Sequence, residues 1–138
     1  MHITPLEISD YEPALALWEA AGLTRPWNDA RADLSRAMAG PDSTVLGGYD
    51  SGGSLIATAM VGHDGHRGWV YYLAVTLERR GEGHAREMMR ACEEWVRDRR
   101  IPKIQLMVRN DNLASIGFYE AIGYETSDVA VLGRRLTD

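Results

Sequence analysis

Between Glu78 and His84 the chain reads Glu-Arg-Arg-Gly-Glu-Gly-His, residue types and spacing suited to holding an anion. Gly81 and Gly83 let the backbone bend and let a phosphate approach with no Cβ in the way. The preceding run, Trp69 to Val75, is rich in aromatic and β-branched residues and predicts a buried strand. Beyond the turn, Ala85, Met88, Met89, Cys92 and Val96 recur on one face at helical spacing. The first amide N–H groups of a helix have no partner within it, and the helix dipole adds partial positive charge there. Strand, glycine turn and helix N-terminus together therefore form an anion site. A P-loop would end in Gly-Lys-Ser/Thr, which is missing, and Arg86 stands where a dinucleotide fingerprint needs its third glycine.

The other elements position this unit. Ile3 to Leu6 predicts a first strand, and Ser9-x-x-Glu12 a capping box that opens a helix carrying Leu15, Trp18 and Ala21 and ending at Gly22. Asn28 or Asp29 is the next N-cap, for a helix presenting Ala30, Leu34, Ala37 and Met38 and closed by Gly40-Pro41. Thr44–Tyr49 and Leu55–Val61 predict a hairpin that continues through a polar loop into the central strand as an antiparallel meander. Ile104, Leu106 and Val108 alternate with Gln105, Met107 and Arg109, a strand pattern. Asn110-Asp111-Asn112 caps a last helix closed by Gly123, and Val129 to Leu136 reads as a final strand. The fold class expected is α/β: a mixed, mostly antiparallel sheet with one parallel pair and helices on both faces.

Composition sets the bounds. A chain of 138 residues suits one domain, 1–138, with a single core. A formal net charge of −5 argues against non-specific nucleic-acid binding, although Arg79, Arg80, His84 and Arg86 gather at the turn. Cys92 is the only cysteine, so no intrachain disulfide forms, and its place on an apolar helix face marks a small core residue. No segment approaches the roughly 18 apolar residues that span a membrane, and the N-terminus lacks a signal-peptide pattern. A cytoplasmic location is the expectation.

Two stretches resemble the GCN5-related N-acetyltransferase (GNAT) family. Leu73-Ala74-Val75 followed by Glu78-Arg79-Arg80-Gly81-Glu82-Gly83 resembles that family's acyl-CoA turn, Gln/Arg-x-x-Gly-x-Gly/Ala after a strand ending Leu-x-Val; Glu78 departs from it. Asn112, Tyr119, Gly123 and Tyr124 match its later motif, Asn-x-x-Ala/Gly-x-x-x-Tyr followed by Gly-Phe/Tyr. Arg25 to Asp29, His63 to Trp69 and Gly133 to Leu136 look like the YpeA-type bacterial acetyltransferases. The element order also agrees with the family.

The resemblance implies an N-acetyltransferase moving an acetyl group from acetyl-CoA to an amine by direct attack. It implies a splayed end to the parallel strand pair, with the pantetheine arm along Leu73, Ala74 and Val75 and the pyrophosphate on amides of Arg79, Arg80, Gly81, Glu82, Gly83 and His84. The Val75 N–H becomes the donor to the thioester oxygen. Asn112 either binds the pantetheine arm or only caps the last helix. Tyr119 becomes the general acid, since a phenol with pKa near ~10 is protonated at neutral pH and can supply a departing thiolate.

No base can be named. The strands flanking the site offer Tyr71, Tyr72, Gln105 and Met107 and no carboxylate, which leaves ordered water, Tyr71 or Tyr72, or the loop residues His63 and Asp64. Trp27, Asn28 and Asp29 either line the acceptor pocket with His63 and Tyr71, or form a staple and a cap. His63-x-x-His66 with Asp64 reads as a polar turn, and no metal is expected. The other class of reading is a non-catalytic acyl-CoA-binding or regulatory module. A homodimer is common among similar proteins, but neither oligomeric state nor the acceptor amine is written in the sequence.

Overall fold

A computed structural model describes residues 1–137. Two compact units divide the chain, Met1–Leu106 and the segment from Met107 onward.

The first unit holds a five-stranded sheet in the order β1 (His2–Pro5), β2 (Ser43–Tyr49), β3 (Leu55–His63), β4 (Gly68–Val75) and β5 (Ile104–Leu106). The first three pairings are antiparallel and β4 pairs β5 in parallel. The expected meander and parallel pair are therefore both present. β5 stops at Leu106, short of Val108.

Helices α1 (Tyr11–Ala20) and α2 (Ala30–Ala39) cover one face, where Trp18, Leu34 and Ala37 pack with Leu6, Val45 and Ala74. Side chains alternate along β2, so Gly48 faces away from Val45. A Cβ at Gly48 would stand 3.1 Å from the Met88 sulfur, which puts helix α3 (His84–Asp98) on the opposite face. There Met88, Met89, Cys92 and Val96 are buried, the predicted stripe. Gly68, at the start of β4, is required by this packing: a Cβ would come within 2.6 Å of Val96 Cγ2.

Local chemistry explains the helix starts. Asp29 caps α2, its Oδ1 accepting from the Ala32 N–H at 3.0 Å. The Ser9–Glu12 capping box does not form. Ser9 lies in a 3₁₀ turn, Ile8–Asp10, Asp10 holds the N-cap position without a side-chain bond to the helix amides, and Glu12 pairs instead with Arg31 Nη1 at 2.6 Å.

The second unit contains α4 (Leu113–Ala121), capped by Asn112, whose Oδ1 accepts from the Ser115 N–H at 3.2 Å. Val129 to Leu136 is not a strand. It has no regular structure, and Val129, Val131, Leu132 and Leu136 are all exposed. The apolar run Val129 to Leu132 suits a strand, but a strand also needs a partner ladder, and none pairs with it among the described residues.

Candidate active site

The site is built around an irregularity in β4. Met60 faces Tyr71 and Thr58 faces Ala74, so Ala59 alone stands opposite both Tyr72 and Leu73. This is a β-bulge on β4. Tyr72 carries φ +54°, an uncommon value for a residue with a side chain, costing about 1–2 kcal/mol.

Several contacts hold it there. The Tyr72 ring stacks on Trp18, with centroids 4.0 Å apart. The buried Thr58 hydroxyl accepts from Trp18 Nε1 at 2.7 Å and donates to the Tyr72 carbonyl at 3.0 Å, so its one donor is used and it is not left unpaired. The Tyr72 hydroxyl donates to Asp33 Oδ2 at 2.7 Å, and Asn28 Nδ2 donates to both the Tyr72 oxygen (3.0 Å) and Asp33 Oδ2 (2.8 Å). Burial, then the Asp33 carboxylate, push the Tyr72 phenol up to about 12.

The bulge has two consequences. First, neighbours on a regular strand point to opposite faces, yet Tyr71 and Tyr72 both line one cavity of about 890 Å³. Second, β4 and β5 part: their pairing ends at Val70 opposite Leu106 while β4 runs on to Val75. Past the bulge, the Thr76 N–H donates to the Ile56 carbonyl of β3 at 2.8 Å. Since N–H groups alternate along an extended chain, the Val75 N–H points away from β3, to the edge where β5 has already left the ladder.

From Val75 the chain enters the turn. Arg79 and Arg80 do not offer their amides as expected, because a 3₁₀ turn, Leu77–Arg79, uses them: Arg79 N–H donates to Thr76 O at 3.0 Å and Arg80 N–H to Leu77 O at 3.4 Å. Among the described residues no acceptor takes the N–H of Gly81, Glu82, Gly83 or His84. Gly81 (φ +81°) and Gly83 (φ +86°) turn the chain, and at either one no atom lies within 4 Å of where a Cβ would stand. Gly83 is the N-cap of α3 and supplies no capping side chain, so the first helical amides stay uncapped.

The turn is braced by side chains. Arg79 donates to Glu82 (2.9 Å) and reaches Asp50 at the β2–β3 turn (3.3 Å), while His84 Nε2 lies 2.9 Å from the same Glu82 oxygen. These contacts hold Glu82 below the usual carboxylate range, Arg79 first. Bare amides, open space and a helix dipole fit a diphosphate.

The cavity lies on unit-one elements alone. Of the residues expected to meet an acceptor, Asn28, His63 and Tyr71 line it. Trp27 and Asp29 are not on its wall; Trp27 is exposed and Asp29 is the α2 cap. Asp33, Asp42, Asp64, Trp69 and Tyr72 also line it. Asp33 follows Asp29 by one helical turn, a spacing that could have flagged it; Asp42 carries no such signal.

Asp64 is fixed by its own loop. Its Oδ1 accepts from the His66 and Arg67 amides, both at 2.8 Å, and Oδ2 accepts from Trp69 Nε1 at 3.3 Å. Those bonds, Arg67 first, bring its carboxyl down to about 2. His63 Nδ1 accepts from the Gly65 N–H at 3.0 Å, and Nε2 lies 3.5 Å from Asp42.

In the second unit, Tyr119 is half-buried, edge-on to Phe118 at 5.0 Å and to Tyr124 at 5.8 Å. No group of three or more His, Cys, Asp or Glu among the described residues is arranged to hold a metal ion. No helix among them is long and apolar enough to cross a membrane.

Comparison with known proteins agrees with this geometry. An acetyltransferase of Yersinia enterocolitica is 40% identical over 136 residues, 99% of this chain and 96% of the relative. The aminoglycoside antibiotic 6'-N-acetyltransferase AAC(6')-IG from Acinetobacter haemolyticus shares the fold at 18% identity, with a TM-score of 0.80 and 100% of both chains covered. AAC(6')-Iy, solved in complex with a bisubstrate analog of CoA, does so at 16% identity and a TM-score of 0.82, over 99% of this chain and 98% of that one. The model of the Acetyltransferase (GNAT) family matches residues 10–124, so the chain belongs to that family of acyltransferases, whose co-substrate is acetyl-CoA.

Proposed function

We propose that this protein transfers an acetyl group from acetyl-CoA to the nitrogen of an amine by direct attack within a ternary complex. The observation that carries the reading is the pairing of the Val75 N–H, aimed past the last β4–β5 rung, with the bare amides of Gly81 to His84 a few residues on. Acetyl-CoA supplies an acyl group activated as a thioester. The amides from Gly81 to His84 and the first turn of α3 bind its diphosphate, and the β4 edge at Leu73, Ala74 and Val75 receives the pantetheine arm, with Asn112 as a further contact. The Val75 N–H donates where negative charge grows on the carbonyl oxygen, a contact worth about 2.7–4 kcal/mol when such a donor is lost from an acyl-transfer site. Tyr119 gives the proton that the departing sulfur needs.

The acceptor enters the cavity beside Tyr71 and Tyr72. An alkyl ammonium with pKa about 10.4 must lose a proton before it attacks. Asp64, held at about 2, is too weak a base to take that proton, and both nitrogens of His63 face partners of its own loop and of Asp42. Deprotonation through water on the cavity wall, past the Tyr71 hydroxyl, fits these constraints. Direct transfer is further supported by Cys92, the only thiol, which is buried and pushed up to about 12 by desolvation, unsuited to carrying an acyl group.

The test is an amine and peptide screen that reads thiol release from acetyl-CoA. Acceptor-dependent release supports the proposal and excludes a pure binding module. Release that is independent of any acceptor, or none despite bound acetyl-CoA, refutes it.

A further inference from the structure

Resting on that reading, we infer that the acceptor carries a second cationic group, held by Asp64 against the Trp69–Tyr71 wall, and bears no carboxylate. The cavity lining has three carboxylates, Asp33, Asp42 and Asp64, and a single guanidinium, Arg36, which is spent on Asp33 at 2.8 Å. No uncommitted arginine or lysine lines it, so a carboxylate on the acceptor would meet like charge.

The three carboxylates are not equivalent. Asp33 already accepts from Tyr72, Asn28 and Arg36, and its work is to hold the bulge. Asp42 lies 3.5 Å from His63 and, unlike Asp64, has no loop amide fixing its carboxylate among the described residues; both aspartates are exposed. Asp64 is immobilised through Oδ1, while Oδ2 accepts one long bond from the indole and keeps capacity for another donor. Its orientation costs no entropy when a ligand arrives. Beside it, Trp69 and Tyr71, two apart on β4, present rings 6.5 Å apart and inclined by only 17°. A fixed carboxylate at the edge of two near-parallel rings is a site for an ammonium ion whose alkyl chain lies along those rings.

This ammonium is not the reacting one. A carboxylate beside the attacking nitrogen would favour its charged form and oppose deprotonation. Asp64 therefore serves best as an anchor for a second nitrogen, and the matching acceptor is an α,ω-diamine or a longer polyamine.

Three acceptors of matched length, 1,5-diaminopentane, pentylamine and 5-aminopentanoate, place an ammonium, a methyl or a carboxylate at the far end. With wild-type protein and acetyl-CoA, kcat/KM is expected to fall by about tenfold or more at each step in that order, well past the doubling that two equivalent ends provide. Asp64→Asn, which retains an acceptor oxygen for the loop amides, should bring the diamine to within about threefold of pentylamine. Equal or reversed preference in the wild-type protein overturns the inference, whatever the variant does. Activity on other amines but none of these three also overturns it and leaves acetyl transfer standing. Failure to bind acetyl-CoA by calorimetry removes the underlying reading and the inference with it.

Discussion

Trp18 and Tyr72 lie face to face, ring centroids 4.0 Å apart and planes inclined by 15°, and this stack joins α1 to the bulge from which the site is built. Thr58 links the same two residues a second time through hydrogen bonds. The pair thus sustains a backbone conformation that a lone tyrosine would leave. Trp18→Ala should cost about 3–5 kcal/mol in urea unfolding, as expected for a fully buried indole. Tyr72→Phe keeps the stack, loses the bonds to Asp33 and Asn28, and should cost about 1 kcal/mol while lowering kcat more than it changes the KM for acetyl-CoA. A Tyr72→Phe enzyme with wild-type kcat would show that the lock does not bear on the site.

Alkaline pH should loosen the same lock. The Tyr72 phenol is raised to about 12 by burial and Asp33, so its neutral form is favoured in the folded state. Its contribution to stability is fully present below the unfolded value of about 10 and is lost as pH climbs from 10 to 12. Tyr49, raised by burial and by Asp10, has the same sign. Urea unfolding across that window should show stability falling less steeply in Tyr72→Phe than in wild type; parallel curves would contradict the assignment.

At the turn, Gly81→Glu places a carboxylate and a Cβ where φ is +81° and where, among the described residues, the neighbouring amides have no protein acceptor. Calorimetry should show acetyl-CoA affinity falling by at least about 100-fold, from like-charge repulsion and backbone strain together. Unchanged affinity would move the diphosphate elsewhere.

Tyr119→Phe removes one hydroxyl and keeps the ring against Phe118 and Tyr124. Turnover should drop about 100-fold, within the range for loss of a general acid, with acetyl-CoA affinity near wild type. Equal losses in both would give Tyr119 a binding role, and no loss would remove it from the chemistry.

Much of the scaffold was legible because it rests on local signals. The Asp29 and Asn112 caps, the β2–β3 hairpin and the buried stripe of α3 follow from side-chain chemistry within a few residues. The misses depend on tertiary context. Ser9 and Glu12 match a capping box, but the chain makes a 3₁₀ turn there and Glu12 finds Arg31 across the surface. Val129 to Leu136 opens with β-branched and apolar residues that suit a strand, but no ladder pairs with it among the described residues. The bulge was invisible, because nothing about a tyrosine announces positive φ; Trp18 and Thr58, far away in sequence, impose it. The cavity carboxylates Asp33 and Asp42 likewise come together only when α2 and the start of β2 meet β3 and β4.

Backbone amide NMR of the protein titrated with acetyl-CoA tests the central claim most directly. Large shifts at Leu73 to Val75, the segment from Gly81 to His84, the first turn of α3 and Asn112, with the β1–β2 edge unmoved, are the predicted result. Saturable binding that leaves the Gly81–His84 amides unperturbed would contradict it.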